Sequence, residues 1–245
     1  MRIDIIMRVK IIGLLYFLIF SLAAQAQPAD QIIGKYTKFI GGKKKWRRIT
    51  TITTSGEYNY GGIPFPFHTY AKVPNRYKFI VPFNGKYYAQ AFDGTKGWKI
   101  DAFKNETVPT LLTGKDAMAM ANEADVELQD ALIDYQRKGH AAISEGRENK
   151  NGVPCYRVKF IRKSGETELY YFNEQTFALH IKSAVAKNVE LQGALLETTF
   201  SDYRNVQGVK IPFQSISESN GQVILTITID KAVLNESIDD KEFQP

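Results

Sequence analysis

Apolar and polar residues alternate with a period of two along most of this chain, and that period predicts strands. Tyr77, Phe79, Val81 and Phe83 alternate with Lys78, Ile80 and Pro82, and Asn84-Gly85 is a hairpin signal leading into 86–92. Asp93-Gly94 and Gly97 turn the chain again before a short strand from Trp98 to Ile100, and a further strand is expected over 46–54. A second meander is expected over 140–146, 153–162, 167–173, 177–187, 195–203, 210–217 and 222–234. Asn151-Gly152, Ser164-Gly165, Gly208 and Asn220-Gly221 punctuate it. Within it Tyr156, Val158 and Phe160 fall on one face, and so do Val223, Leu225, Ile227 and Ile229.

Helical spacing occurs in two places. Ile32, Ile33, Tyr36, Phe39 and Ile40 make one apolar stripe, opened by Pro28-Ala29-Asp30 and closed by Gly41-Gly42. A second helix is expected over 115–138, where Met118, Ala121, Leu128, Leu132 and Tyr135 form an irregular apolar face ended by Gly139. Residues 122–125 are a candidate break within it. The stretch Gly61-Gly62-Ile63-Pro64-Phe65-Pro66-Phe67 reads as a loop stiffened by two prolines. Its apolar bulk is costly to leave in water, so it either folds over the core as a plug or covers a cavity as a lid. The expected fold class is mainly β with helices (α+β). One strongly twisted antiparallel sheet of roughly eleven strands wraps around helical plugs, and no domain boundary is visible.

The N-terminus changes the picture of where the chain works. Arg2, Arg8 and Lys10 precede an uncharged apolar run over 11–22, followed by Ala24-Gln25-Ala26. This is the pattern of a cleaved secretory signal over 1–26, too short for a stable span of roughly 30 Å of hydrocarbon. Cleavage would leave 27–245 as a soluble chain without the lipid-attachment cysteine of a lipoprotein. The single cysteine, Cys155, excludes an internal disulfide, so stability rests on an apolar core. With 15 Phe, 13 Tyr and 2 Trp, the composition favours sheet. The net charge of +6 falls when the leader leaves, and no basic helix or stacking motif marks a nucleic-acid binder.

Chemistry-bearing motifs are missing. The sequence has no G-x-S-x-G elbow, Walker loop, G-x-G-x-x-G, H-E-x-x-H or C-x-x-C. His68, His140 and His180 are far apart and do not show metal-ligand spacing, so no metal and no cofactor are expected. Cys155 reads as a packing residue on a strand, and Asp239-Asp240 as an exposed loop. Lys43-Lys44-Lys45-Trp46-Arg47-Arg48 is either a solvated connection or a contact for anionic headgroups or an acidic partner, with Trp46 at the interface.

Three stretches resemble the family of outer-membrane lipoprotein-sorting proteins, the LolA-like carriers. One is Lys72-Val73-Pro74-Asn75-Arg76-Tyr77 with Phe92-Asp93-Gly94-Thr95-Lys96-Gly97-Trp98. Another is Ala124-Asp125 with Leu132, Asp134-Tyr135 and Lys138-Gly139. The third is Phe200-Ser201-Asp202-Tyr203-Arg204 with Gly208-Val209 and Ile211-Pro212-Phe213. The resemblance implies an unclosed half-barrel over 27–245 with helices as a lid on its concave face, and acyl chains held between sheet and lid. The family's arginine directly before the Pro-Asn pair is Val73 here. Lys72, one residue earlier, points to the opposite face of a strand.

The expected function is that of a monomeric, non-catalytic periplasmic carrier. It would hold lipid or lipoprotein acyl chains in an apolar cavity, between a membrane-bound donor and acceptor. Tyr77, Phe79, Val81, Phe83, Trp98, Tyr156, Val158, Phe160, Val223, Leu225, Ile227 and Ile229 are its candidate lining, each also open to an ordinary core role. Ile63, Phe65, Phe67, Met118, Leu128 and Leu132 are candidate lid residues. The alternative is a cell-envelope sensor or scaffold module that binds a protein through the same fold.

Overall fold

The computed structural model describes residues 27–186 and 193–245, with every side chain among them except those of 125–129. The leader read over 1–26 and the side chain of Leu128 lie outside the described residues. Helix α1 (Ala29–Phe39) and a single helical turn, α2 (Lys43–Trp46), precede a first meander. This comprises β1 (Thr51–Tyr60), β2 (Ile63–Lys72), β3 (Arg76–Phe83), β4 (Lys86–Phe92), β5 (Gly97–Ile100) and β6 (Thr110–Leu111). Helix α3 (Gly114–Gln129) leads to the second meander, which starts with β7 (Ala141–Lys150), β8 (Val153–Ile161), β9 (Thr167–Asn173) and β10 (Leu179–Val185). It ends with β11 (Leu195–Val206), β12 (Val209–Ser219) and β13 (Gln222–Leu234).

Among the described residues, thirteen strands form one antiparallel sheet in the order β6-β5-β4-β3-β2-β1-β13-β12-β11-β10-β9-β8-β7. The two meanders join where β1 pairs with β13. The sheet is curved and does not close, the α+β half-barrel that the alternation and the resemblance imply. Its two edges, β6 and β7, are consecutive in the chain. The connection between them must therefore traverse the sheet, and α3 and the turns over 130–139 make that crossing. Topology alone supplies the plug.

The helices lie on the inner face. Tyr36 of α1 packs on Phe172 with ring centroids 5.3 Å apart, and Phe39 packs on Tyr203 at 5.2 Å. Ile32, Ile33, Tyr36 and Ile40 are buried, so the stripe read from the sequence is the face that meets the sheet. At the end of α1 the chain runs against the β11–β12 hairpin, where Lys210 N–H donates to the Ile40 carbonyl. A Cβ on Gly41 would stand 2.6 Å from the Gly208 carbonyl oxygen, and φ there is 115°. Gly41→Ala is expected to lower stability by about 1–3 kcal/mol, read from the midpoint of urea unfolding.

Three expected boundaries differ. The helix expected over 115–138 stops at Gln129, because Asp130 takes a left-handed φ of 52° and its carboxylate accepts from Leu132 N–H at 2.9 Å. The residues beyond form turns that bury Ala131, Leu132, Ile133 and Tyr135. The proline-stiffened loop is a strand instead. Gly61-Gly62 makes the hairpin turn, and Ile63 to Phe67 belong to β2. Pro64 and Pro66 are tolerated because pairing with β3 begins only at His68, so no neighbour on that side needs their missing N–H groups. Finally, the strand expected over 46–54 runs over β1 instead. Trp46 belongs to α2, buried with its indole N–H donating to the Ile40 carbonyl at 3.0 Å.

Candidate functional site

Strand register sorts the apolar side chains into two faces. Tyr77 pairs with Ala71 and Phe92, Tyr156 with Phe172, and Val158 with Tyr170, all in the inner core. At the β7–β9 end this face is solid. Val158 and Phe160 are 0% exposed, and Phe160 packs on Tyr135 and Tyr170 with centroids 6.0 and 5.4 Å apart. Leu132 fills the same core from the crossing segment. Tyr156, Val158 and Phe160 are thus covered, and Tyr77 and Val81 are buried as well.

The middle of the sheet differs. Ile229 pairs with Gly56, Ile227 with Tyr58 and Leu225 with Tyr60, and across β1 these meet Phe67, Phe65 and Ile63. Leu225, Ile227, Ile229, Tyr58 and Phe65 are all half-buried. Helix α1 and the crossing segment fill the inner face on one side of them, and α3 covers β2 to β5 on the other, with Met120 and Ala124 turned into the core. Between these two covers the described residues leave a half-buried apolar stretch of the middle strands, the trough. Its far wall is aromatic: Phe79 lies 5.2 Å from Tyr58 and 6.0 Å from Phe67, and Phe83 lies 4.7 Å from Phe103. Phe103 also packs on Phe65 at 5.4 Å. Tyr58, Phe103 and Tyr88, whose ring lies 6.3 Å from Phe79 and 6.0 Å from Phe103, are not among the lining residues expected from the sequence. Tyr58 lies in a strand expected to end at 54, and Phe103 in a short helical turn with no periodic signal.

Four predicted residues sit elsewhere. Trp98 pairs with Ala91 on the outer face, and its indole N–H donates to the Phe243 carbonyl at 2.8 Å. Val223 is carried off the inner face by a slip in register: Ser217 pairs with Leu225, but Glu218 pairs with Val223. It is 54% exposed. Ile63 stands at the hairpin tip, 59% exposed, and Met118 is an exposed residue on α3. Phe67, by contrast, is buried under the aromatic wall.

The C-terminal segment straps the outer face. Phe243 and Ile238 are buried there, and Asp240 pairs with Lys72 at 2.7 Å and with Arg76 at 3.4 Å. Asp239-Asp240, expected in an exposed loop, is exposed, but Asp240 opens a short helical turn capped by Asp239. Lys72 points away from the helices, as the one-residue offset from the family's arginine implies. Its ammonium also donates to the Ile238 carbonyl at 2.6 Å.

The basic run is mostly occupied. Lys43 and Arg47 bind Asp134 at 3.3 and 2.8 Å, Lys45 donates to the Gly208 carbonyl, and Lys44 and Arg48 are exposed. The hydrogen-bonded Arg47 guanidinium holds the Asp134 carboxyl below the usual carboxylate range, against the opposing effect of burial. Other perturbed groups are structural too. Burial, reinforced by Asp130, pushes the Tyr36 hydroxyl well up, and burial raises the Cys155 thiol to about 11. Among the described residues no group of three metal-ligating side chains converges, and no helix is long and apolar enough to cross a membrane.

No protein-family model and no curated protein matches this sequence. Solved structures do. A DUF1329 family protein from Desulfovibrio piger aligns over 89% of this chain and 98% of its own, with 15% identity and a TM-score of 0.60. A LolA superfamily protein from Nitrosomonas europaea aligns over 90% and 99%, with 12% identity and a TM-score of 0.57. A domain described as that of an outer membrane lipoprotein-sorting protein, from Vibrio parahaemolyticus, aligns over 87% and 95%, with 10% identity and a TM-score of 0.56. At such identities the likeness concerns the fold. This chain has the LolA-like fold.

Proposed function

We propose that this LolA-like half-barrel is a non-catalytic carrier that shelters an acyl chain in the trough between its two inner covers. The observation that carries the reading is the half-buried apolar floor of Tyr58, Phe65, Leu225, Ile227 and Ile229. The sequence around it supports the same reading. Residues 58–67 and 219–229 contain no Asp, Glu, Lys or Arg, so two neighbouring hairpins are uncharged over their tips and down into the trough. Removing hydrocarbon from water contributes roughly 0.8 kcal/mol per methylene, or on the order of 12 kcal/mol for a sixteen-carbon chain. An open apolar trough is the feature of this molecule equipped to capture that energy.

In this reading 27–245 is a single unit that works as a monomer in the periplasm after losing 1–26. A lipid or a lipoprotein acyl chain is its cargo, passed between a membrane donor and acceptor. Carriage requires no covalent chemistry, which fits a site floored by aliphatic and aromatic side chains. Native mass spectrometry of the purified protein is expected to find bound lipid, and a fluorescent fatty acid is expected to exchange into it. Absence of both would sink the carrier reading. A stable protein partner seated on the same hairpin tips would favour the sensor or scaffold instead.

A further inference from the structure

The trough floor changes character along a single line of the sheet. On the inner face Lys182 of β10 pairs with Thr198 of β11, Thr198 with Ser217 of β12, Ser217 with Leu225 of β13, and Leu225 with Tyr60 of β1. The next line reads Phe200, Ser215, Ile227, Tyr58, Phe65. Crossing four strand spacings of roughly 4.8 Å, the surface passes from an ammonium through hydroxyls to pure hydrocarbon and aromatic rings. The Thr198 and Ser217 hydroxyls are already linked at 2.9 Å, so each retains lone pairs or a proton for a third group.

The cation at the head of this line lies near a carboxylate, Glu168, without a direct bond to it. Lys182 is half-buried and makes no hydrogen bond or ion pair with the described residues. The carboxylate on its face, Glu168, takes its direct contacts from others: it binds Arg162 at 3.2 Å and accepts from the Tyr170 hydroxyl at 2.8 Å. Burial opposes the charge on Glu168, but Lys182, Arg162 and Tyr170 together hold its carboxyl below the usual range. A half-buried ammonium beside paired hydroxyls, at the polar end of an apolar floor, matches an anionic group attached to a hydrocarbon chain.

We infer that the trough is polarised: it takes an amphiphile with an anionic headgroup, phosphate or carboxylate, set against Lys182, Thr198 and Ser217, with its chain running over Leu225 and Ile227 towards Tyr58 and Phe65. This rests on the carrier reading and adds to it the class and orientation of the cargo. The chain supplies affinity. Lys182 supplies the choice of headgroup.

The test compares two amphiphiles with the same twelve-carbon chain, dodecyl phosphate and monolauroylglycerol. Each is titrated against the purified protein carrying the neutral dye N-phenyl-1-naphthylamine, and dye displacement gives the two Kd values. Dodecyl phosphate is expected to bind about tenfold more tightly than the glyceride, the scale of one hydrogen-bonded charge contact. Lys182→Met is expected to bring that ratio to about one, and Lys182→Arg to preserve it. Inorganic phosphate at equal concentration is expected to leave the dye in place. Displacement by it would overturn the headgroup assignment in favour of a site for the free anion. An unchanged ratio in Lys182→Met would also overturn the assignment while leaving the trough intact as a carrier. Failure of both amphiphiles to displace the dye would overturn the carrier reading and the headgroup with it.

Discussion

Phe160→Ala is expected to lower the stability of the fold by about 3–5 kcal/mol while leaving the trough accessible. Phe160 is fully buried and stands where three elements meet: the β8–β9 ladder, the Tyr135 ring of the crossing segment, and the His140 ring 5.3 Å away. Its neighbours are held in place. Asp30 of α1 accepts from the Tyr135 hydroxyl, Asp130 accepts from the Tyr36 hydroxyl, and Arg47 grips Asp134. A site pinned from both sides collapses poorly around a void, which places the loss at the upper end for its class. Urea unfolding followed by circular dichroism measures it. A loss below about 1 kcal/mol would show that the plug repacks freely and that this end of the barrel is not solid.

The opposite pattern is expected for Ile227→Glu. Ile227 is half-buried on the trough floor, between Tyr58 and Ser215. A carboxylate there keeps access to water when the protein is empty, so stability should change little. When a hydrocarbon chain lies over it, that carboxylate must be desolvated, and the apolar contact is lost as well. The affinity for a fluorescent fatty acid is expected to fall about 100-fold, measured by equilibrium titration. Ile227→Leu, which preserves the apolar surface, should bind nearly as the native protein does. Equal affinities in all three proteins would remove the trough as the binding site. Taken together, the two substitutions separate the part of the inner face that holds the fold from the part that holds a ligand.

Alternation identified most of the strands because each apolar set buries one face and fixes its own register. The α1 stripe was equally legible, since four of its residues meet the core almost completely. Elements governed by single residues were not. Asp130 reads as a helix-compatible charge until its backbone adopts φ 52°, and Pro64 and Pro66 read as loop until the missing β3 partner is known. The candidate lining shows the same division. Parity placed Phe79, Leu225, Ile227 and Ile229 correctly on one face, but a one-residue slip opposite Glu218 removed Val223. Trp98, another candidate, is put by strand parity under the C-terminal strap. Which apolar face stays uncovered depends on where α1, α3 and the crossing segment land, and no local pattern encodes that. Lys182 looked like any charge on a strand until its row was known.

The pairing of β1 with β13 has a consequence for how the chain comes into being. Among the described strands, the one that completes the centre of the sheet is the last in chain order, and its partner is the first. Neither meander can acquire its middle neighbour until nearly all of the polypeptide is available, and ladders between such distant stretches form slowly. A nascent chain of this topology stays threadable for a long time. Its central ladder is therefore deferred until the final hairpin has been made.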